Sequence, residues 1–244
     1  MKKLLALVLA LALTLSLASV SLADSIVAAT NCAFPPYEYY ENGVEAGIDV
    51  DIVKAICEKL GYDLTIVDTE FGSIIAGVAT GKYDVGFGAI TITDERSKSV
   101  HFTTSYATGI QSIIVKEDST IASVDDLKAA GIKIGVQQDT TGDIYATDDF
   151  GEDHMARFNK GADAVMALST GKVNAVIIDN SPAETFVAQN PGLKILPTAY
   201  AEEAYGFEIS YDKEEFYNAF NGALEELLKD GTIQGIIDKY IKAE

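Results

Sequence analysis

Two stretches of this 244-residue chain share one layout: "ATGKYDVGFGAIT" (Ala79 to Thr91) and "STGKVNAVIIDNS" (Ser169 to Ser181). Each reads as a helix end, Thr-Gly-Lys, a short turn, a buried strand and then polar residues. Thr-Gly-Lys does not make a phosphate loop here, because that motif needs a strand before the glycine-rich turn and a helix after it. The helix comes first, so Gly81 and Gly171 read as helix terminators. The repetition points to two lobes built alike, each placing polar groups at a strand end. A cleft between two such lobes is a common place for a small ligand.

The remaining chain keeps the same alternation. Strands are expected at Ile26 to Thr30, Leu64 to Val67, Val85 to Ile90, Ile110 to Lys116, Ile132 to Val136, Ala175 to Ile178 and Leu193 to Leu196. Helices are expected at Ile48 to Leu60, stopped by Gly61, at Gly72 to Thr80 and at Ser181 to Gln189. Ser123 and Asp126 have the spacing of a capping box. Lys213 to Lys242 reads as two amphipathic helices broken at Asp230-Gly231. Strands alternating with helices argue for a mostly parallel, doubly wound α/β architecture.

The first residues stand apart. Lys2 and Lys3 precede an apolar run from Leu4 to Ala18, and Ser21-Leu22-Ala23 ends it with small residues. This reads as a secretory signal cleaved after Ala23. The protein is therefore expected to be soluble and periplasmic or extracellular. Cys32 lies too far behind the apolar run to be a lipid-attachment site. The net charge of −19 disfavours nucleic acid and anionic lipid as partners. Export permits a disulfide between Cys32 and Cys57. However, Cys57 lies on the helical stripe Ile52, Val53, Ile56, Cys57 and Leu60, which suits a buried free thiol. Neither cysteine nor either histidine has a neighbour at metal-ligand spacing, so no metal and no cofactor are expected.

Three polar clusters could carry chemistry. "GAITITDER" delivers Thr91, Thr93 and Arg96 after an apolar strand, and ligands of α/β proteins sit at such strand ends. "GVQQDTTGD" (Gly135 to Asp143) runs from a strand through a turn into a helix, whose amides can face an anion. Asp179 directly follows the apolar strand "AVII". A zwitterion's carboxylate wants a guanidinium fork and amide donors, and its ammonium wants a carboxylate. Arg96, Thr91, Thr141 and Asp179 supply that set. The competing readings are a surface ion pair of Arg96 with Asp94 or Glu95, and a helix cap at Asp179 or Ser181. Asn31 and Phe34 after the first strand, with Phe71, could hold a side chain. In "FPPYEYY", Pro35-Pro36 is expected to force an extended loop in which Phe34 and Tyr37 are not both buried.

Together these residues resemble the bacterial extracellular solute-binding proteins that recognise polar amino acids for ABC transporters. "GIDVDIVKAICEKL" (Gly47 to Leu60) and "ITITDER" carry the resemblance, which covers essentially the whole mature chain. It implies a two-lobed periplasmic-binding-protein (Venus flytrap) fold of class α/β. Each lobe has a mixed, mostly parallel sheet with flanking helices, and two hinge strands join them. Residues 24–108 and 205–244 form lobe 1, residues 109–204 form lobe 2, and residues 1–23 are the signal peptide. Carried over by position, Arg96 binds the α-carboxylate, with Thr91, the backbone of Ala89 and Thr141. Asp179 takes the ammonium. Asn31, Phe34, Phe71 and Gln137 line the side-chain pocket. Asp139 stands where the family usually has glycine, and an aspartate tolerates the left-handed backbone that such a turn needs.

The resemblance implies a monomeric receptor that delivers an amino acid to a membrane ABC permease. The alternative is a dehydratase on the same fold, acting on prephenate or arogenate. Such chemistry needs an acid of raised pKa, and Asp179 beside an ammonium and an arginine is expected to move the other way. A second basic residue for an anionic side chain is missing from the motifs. A basic side chain would use Glu38, Glu70 or Asp139. A neutral polar side chain would suit Asn31 and Gln137 and is placed first, with basic amino acids next.

Overall fold

The computed structural model describes residues 24–241. The signal segment and its cleavage point, and Lys242 at the end of the last expected helix, lie outside them. The chain begins with β1 (Ser25–Thr30), followed by a small antiparallel sheet of β2 (Ala33–Phe34), β3 (Glu38–Glu41) and β4 (Val44–Ala46). Helix α1 (Ile48–Leu60) has the expected bounds. Gly47 at φ 128 turns the chain into it, and Gly61 at φ 74 ends it with a left-handed cap. Its stripe Ile48, Ile52, Val53, Ile56 and Cys57 is buried, each large aliphatic side chain contributing about 1.5–3 kcal/mol.

Strand β5 (Asp63–Asp68), helix α2 (Ile74–Ala79), β6 (Val85–Gly86) and β7 (His101–Phe102) complete the first half. The chain then crosses into β8 (Ala107–Lys116) and continues with β9 (Ile134–Gln137), α3 (Thr141–Phe150), β10 (Met155–Phe158) and α4 (Gly161–Ser169). Next come β11 (Ala175–Asp179), α5 (Asn180–Gln189), β12 (Leu193–Ile195) and β13 (Ala201–Tyr205). It returns through β14 (Glu208–Ile209) to α6 (Glu214–Lys229) and α7 (Thr232–Tyr240), which Gly231 separates at φ 86. The Ser123–Asp126 cap forms, with Asp126 accepting from the Ala122 and Ser123 amides at 2.9 Å, but it caps a single 3₁₀ turn and not an α-helix.

The result is two lobes. One sheet runs β5-β1-β6-β14-β7; the other runs β10-β9-β11-β8-β12, with β13 also on β8. Both sheets are mixed. β1 pairs in parallel with β5 and β6, and β9 in parallel with β10 and β11. The antiparallel neighbours are the strands around the crossings: β14 on β6 and β7, and β8 on β11, β12 and β13. The two crossings lie side by side, because β8 and β13 pair from Ala107↔Tyr205 to Gln111↔Ala201. A bridge from Thr91 to Tyr205 ties them to the first sheet. Cys32 and Cys57 are both buried free thiols, and burial pushes the Cys57 thiol up to about 11.

One expectation about packing fails. Phe34 and Tyr37 are both buried. The two prolines sit in a tight turn, with the Tyr37 amide donating to the Phe34 carbonyl at 2.9 Å. The chain doubles back as a hairpin and does not run out as an extended loop, and Tyr37 packs edge-on against Tyr205 at 5.4 Å.

Candidate functional site

The first lobe's contribution depends on an early strand end. The apolar run from Val85 was expected to stay a strand through Ile90, yet β6 stops at Gly86. Gly88 has φ 146 and Ala89 φ 47, a left-handed conformation that a non-glycine residue keeps only when its surroundings hold it. The holder is Asp49. Its carboxylate accepts from the Gly88 and Ala89 amides at 3.1 and 2.8 Å, and from the Tyr106 hydroxyl at 2.6 Å. Burial pushes the Asp49 carboxyl up to about 6 despite these bonds. Asp49 was legible only as one of two acids in "GIDVDI"; nothing in the spacing said that it was buried.

That turn leads through Thr91 to a 3₁₀ segment starting at Arg96. Arg96 is only 9% exposed. It does not pair with Asp94 or Glu95; Glu95 pairs with Lys98 instead. One guanidinium nitrogen donates to the Thr91 carbonyl at 3.0 Å, and the other crosses the cleft to the Asp139 carbonyl at 3.2 Å. The Phe71 ring lies 5.5 Å from the guanidinium carbon, in cation–π range. Burial lowers the Arg96 pKa from its ordinary value, and the carboxylates of Glu208 and Glu203 oppose that.

The second lobe contributes a helix N-terminus and a strand end. Thr140 caps α3, its hydroxyl oxygen accepting from the Asp143 amide at 3.3 Å. Asp143 in turn accepts from the Asp139 amide at 3.2 Å and from Arg157 at 2.9 Å. These two bonds, one to the cap and one to the residue before it, fix the turn that presents Thr141. Asp139 takes the left-handed backbone, at φ 66. Its carboxylate lies outside the cavity and reaches across to Gly72 of the first lobe, so closely that a side chain at Gly72 would begin 2.1 Å from Asp139 Oδ2.

Asp179 ends β11 and makes no capping bond to α5. Its Oδ1 accepts from Gln111 Nε2 at 2.6 Å, and its Oδ2 accepts from the Tyr205 hydroxyl. Burial, then the neighbouring Glu203 charge, push the Asp179 carboxyl up to about 7. The lowered carboxyl expected beside a ligand ammonium is a separate state: before any ammonium arrives, desolvation and like charge outweigh the pull of Arg96.

All nine residues singled out from sequence, Asn31, Phe34, Phe71, Ala89, Thr91, Arg96, Gln137, Thr141 and Asp179, line one narrow cavity. Glu38, Gly88 and Thr140 also line it. The cavity lies where the lobes meet. Thr91 Oγ1 is 3.2 Å from Thr141 Oγ1, and Gln137 Nε2 donates to Asn31 Oδ1 at 3.2 Å. Among its lining residues Arg96 is the one cation. Of the three acids weighed for a basic side chain, Glu38 faces the cavity, while Glu70 and Asp139 do not line it. Glu38 is 1% exposed, and its Oε2 has no hydrogen-bond partner. Burial, with Asp49 and Asp179 nearby, pushes its carboxyl well above the usual range.

A guanidinium on one lobe and a carboxylate on the other line one cavity. The sequence profile of the bacterial extracellular solute-binding proteins, family 3, matches residues 26–243. The chain belongs to that family. Among curated members, the arginine-binding extracellular protein of Bacillus subtilis is 31% identical, with both chains fully covered. Among solved members, an ancestral arginine-binding protein bound to glutamine is 35% identical at TM-score 0.85, covering 91% of this chain and 100% of that one. The arginine-, lysine-, histidine-binding protein of Geobacillus stearothermophilus is 33% identical at TM-score 0.85, covering 91% and 96%. In this family member the cavity is lined from both lobes, and no single segment holds it.

Proposed function

We propose that the chain is the extracytoplasmic receptor of an ABC transporter and captures one free amino acid between its lobes. The observation that carries this reading is the pairing of Arg96 and Asp179 across one cavity. Arg96, the Thr91 and Thr141 hydroxyls and the α3 amides suit an α-carboxylate. Asp179 suits an α-ammonium. Phe34 and Phe71 offer aromatic walls to the ligand's side chain. In this reading lobe 1 comprises residues 24–108 and 205–244, and lobe 2 residues 109–204. The protein acts as a freely diffusing monomer outside the cytoplasm. A ligand that binds the closed form better shifts the population towards it, and the closed form docks the permease.

Glu38 supports a side-chain class. A buried carboxyl that lines the cavity and has an unpartnered oxygen suits a cationic end group, so we place arginine first. This reorders the sequence reading, which put a neutral polar side chain ahead. The neutral amide of glutamine is the second reading, supported by the Asn31–Gln137 pair. The raised Asp179 and Glu38 carboxyls in the cavity are the observations on the side of a dehydratase. Calorimetric titration with the twenty amino acids and cystine, alongside a prephenate turnover assay, tests the proposal. Micromolar or tighter binding of a basic amino acid without turnover is expected; turnover without amino-acid binding overturns it.

A further inference from the structure

Glu203 is a buried acid that no binding role above uses. It lies on β13, one of the two strands at the lobe crossing, and is 6% exposed. Gln111 on β8, the other crossing strand, is fully buried between Glu203 and the site. Its side-chain nitrogen donates to Asp179 Oδ1 at 2.6 Å and to Glu203 Oε2 at 2.9 Å. One amide therefore serves two carboxyl groups. Glu203 Oε1 and Gln111 Oε1 have no hydrogen-bond partner. The corner is closed by Tyr205, whose hydroxyl reaches Asp179 over Gly109, where any side chain would begin 1.7 Å from that oxygen.

We infer that Glu203 is the second acid of the ammonium corner: tied to Asp179 through Gln111, it keeps the Asp179 carboxyl protonated until a ligand ammonium replaces that proton. This rests on the receptor reading above. The balance is simple. The Asp179 O–H bond breaks, its proton passes to solvent, and the carboxylate left behind pairs with the incoming R–NH3⁺.

Two like charges sharing one buried donor cannot both be ionised cheaply. The other charged or titratable groups around Asp179 do not reverse this. Glu38 and Tyr37 face it from the β2–β3 hairpin, Tyr205 from β13 and Tyr145 from α3. Arg96 alone is cationic, and it spends its two terminal nitrogens on the Thr91 and Asp139 carbonyls. The direction found for Asp179, up to about 7 through burial and then Glu203, agrees.

The test is calorimetric titration of the full chain with L-arginine in buffers of different ionisation enthalpy at pH 7, and again from pH 6 to pH 8. The native protein is expected to release protons on binding and to bind about tenfold more tightly at pH 8 than at pH 6. Glu203→Gln moves the midpoint of that dependence to lower pH and releases at least about a third of a proton less at pH 7. Gln111→Met keeps both acids, removes the shared donor and moves the midpoint up. These opposite shifts separate Glu203 from Glu38, which is present in both variants. If one variant fails to fold, the other decides. Arginine binding with no proton released, or variants that match the native profile, overturns the inference and leaves the receptor reading standing. No binding of arginine or any other amino acid at any pH overturns both.

Discussion

The hydroxyl oxygens of Thr91 and Thr141 lie 3.2 Å apart, although one follows the strand end of the first lobe and the other opens a helix of the second. Their contact defines the closed cleft. It also places Arg96 within reach of the second lobe, at the Asp139 carbonyl. A ligand carboxylate would take over those same donors, so the closed geometry and the binding geometry share atoms.

Removing the guanidinium should therefore end binding. Arg96→Ala is expected to weaken the best ligand by at least about a hundredfold, since each charged hydrogen bond is worth about 1.5–3 kcal/mol. Arg96→Lys should recover only part of that, because a point charge cannot make the fork. Calorimetry at one pH suffices, and affinity within twofold of native would remove Arg96 from the site.

Glu38 should sort ligands by charge. Glu38→Gln is expected to weaken arginine by about ten- to a hundredfold, while glutamine changes by no more than about threefold. Equal losses for both would show that Glu38 only shapes the cavity.

Asp49 should matter for folding and binding together. Asp49→Ala strands the Gly88 and Ala89 amides and the Tyr106 hydroxyl in the interior. An unpaired buried donor costs about 1–3 kcal/mol, so urea unfolding should show a loss of about 3 kcal/mol or more. The left-handed Ala89 loses its support at the same time, and affinity should fall with it. A stable variant with native affinity would contradict this account.

Stability should decline as pH rises from about 5 to 8.5. Glu208 is fully buried beside Arg96, both carboxyl oxygens lack partners, and burial pushes its carboxyl up to about 8. Its folded pKa is above its unfolded value, so the folded state holds a proton that the unfolded chain has released. That contribution is complete below about pH 4.5 and is lost as pH passes through about 8. Asp179, up to about 7, and Asp49, up to about 6, act in the same direction. Thermal melts across this range should fall, and Glu208→Gln should flatten the upper part of the curve. A melting temperature that rises from pH 5 to 8.5 would contradict the burial argument.

Much of this molecule was legible along the chain. The bounds of α1 follow from Gly47, the apolar stripe and Gly61, all within one window. The Thr-Gly-Lys echoes mark two helix ends because a left-handed glycine cap is a local event. Eight polar and aromatic residues and Ala89, most of them near strand ends, were enough to outline one cavity, since strand ends of an α/β lobe point to the same side. The dehydratase argument, by contrast, used the charge on Asp179 beside an ammonium, whereas in the ligand-free fold burial and Glu203 push that carboxyl up.

What only the tertiary structure decided is the fate of the acids. The sequence presents Glu38, Asp49, Asp51, Glu203 and Glu208 as equivalent carboxylates in a strongly acidic chain. In the fold, Asp51 pairs with Lys239 near the surface, while the other four are buried. The surroundings of a buried carboxyl come from far away along the chain: Gly88 and Tyr106 bond Asp49, Gln111 bonds Glu203, and Glu208 feels the Arg96 charge without a bonded partner. Local pattern records which residues can form an element. Desolvation and charge, the terms that set protonation and ligand choice, depend on which elements come together.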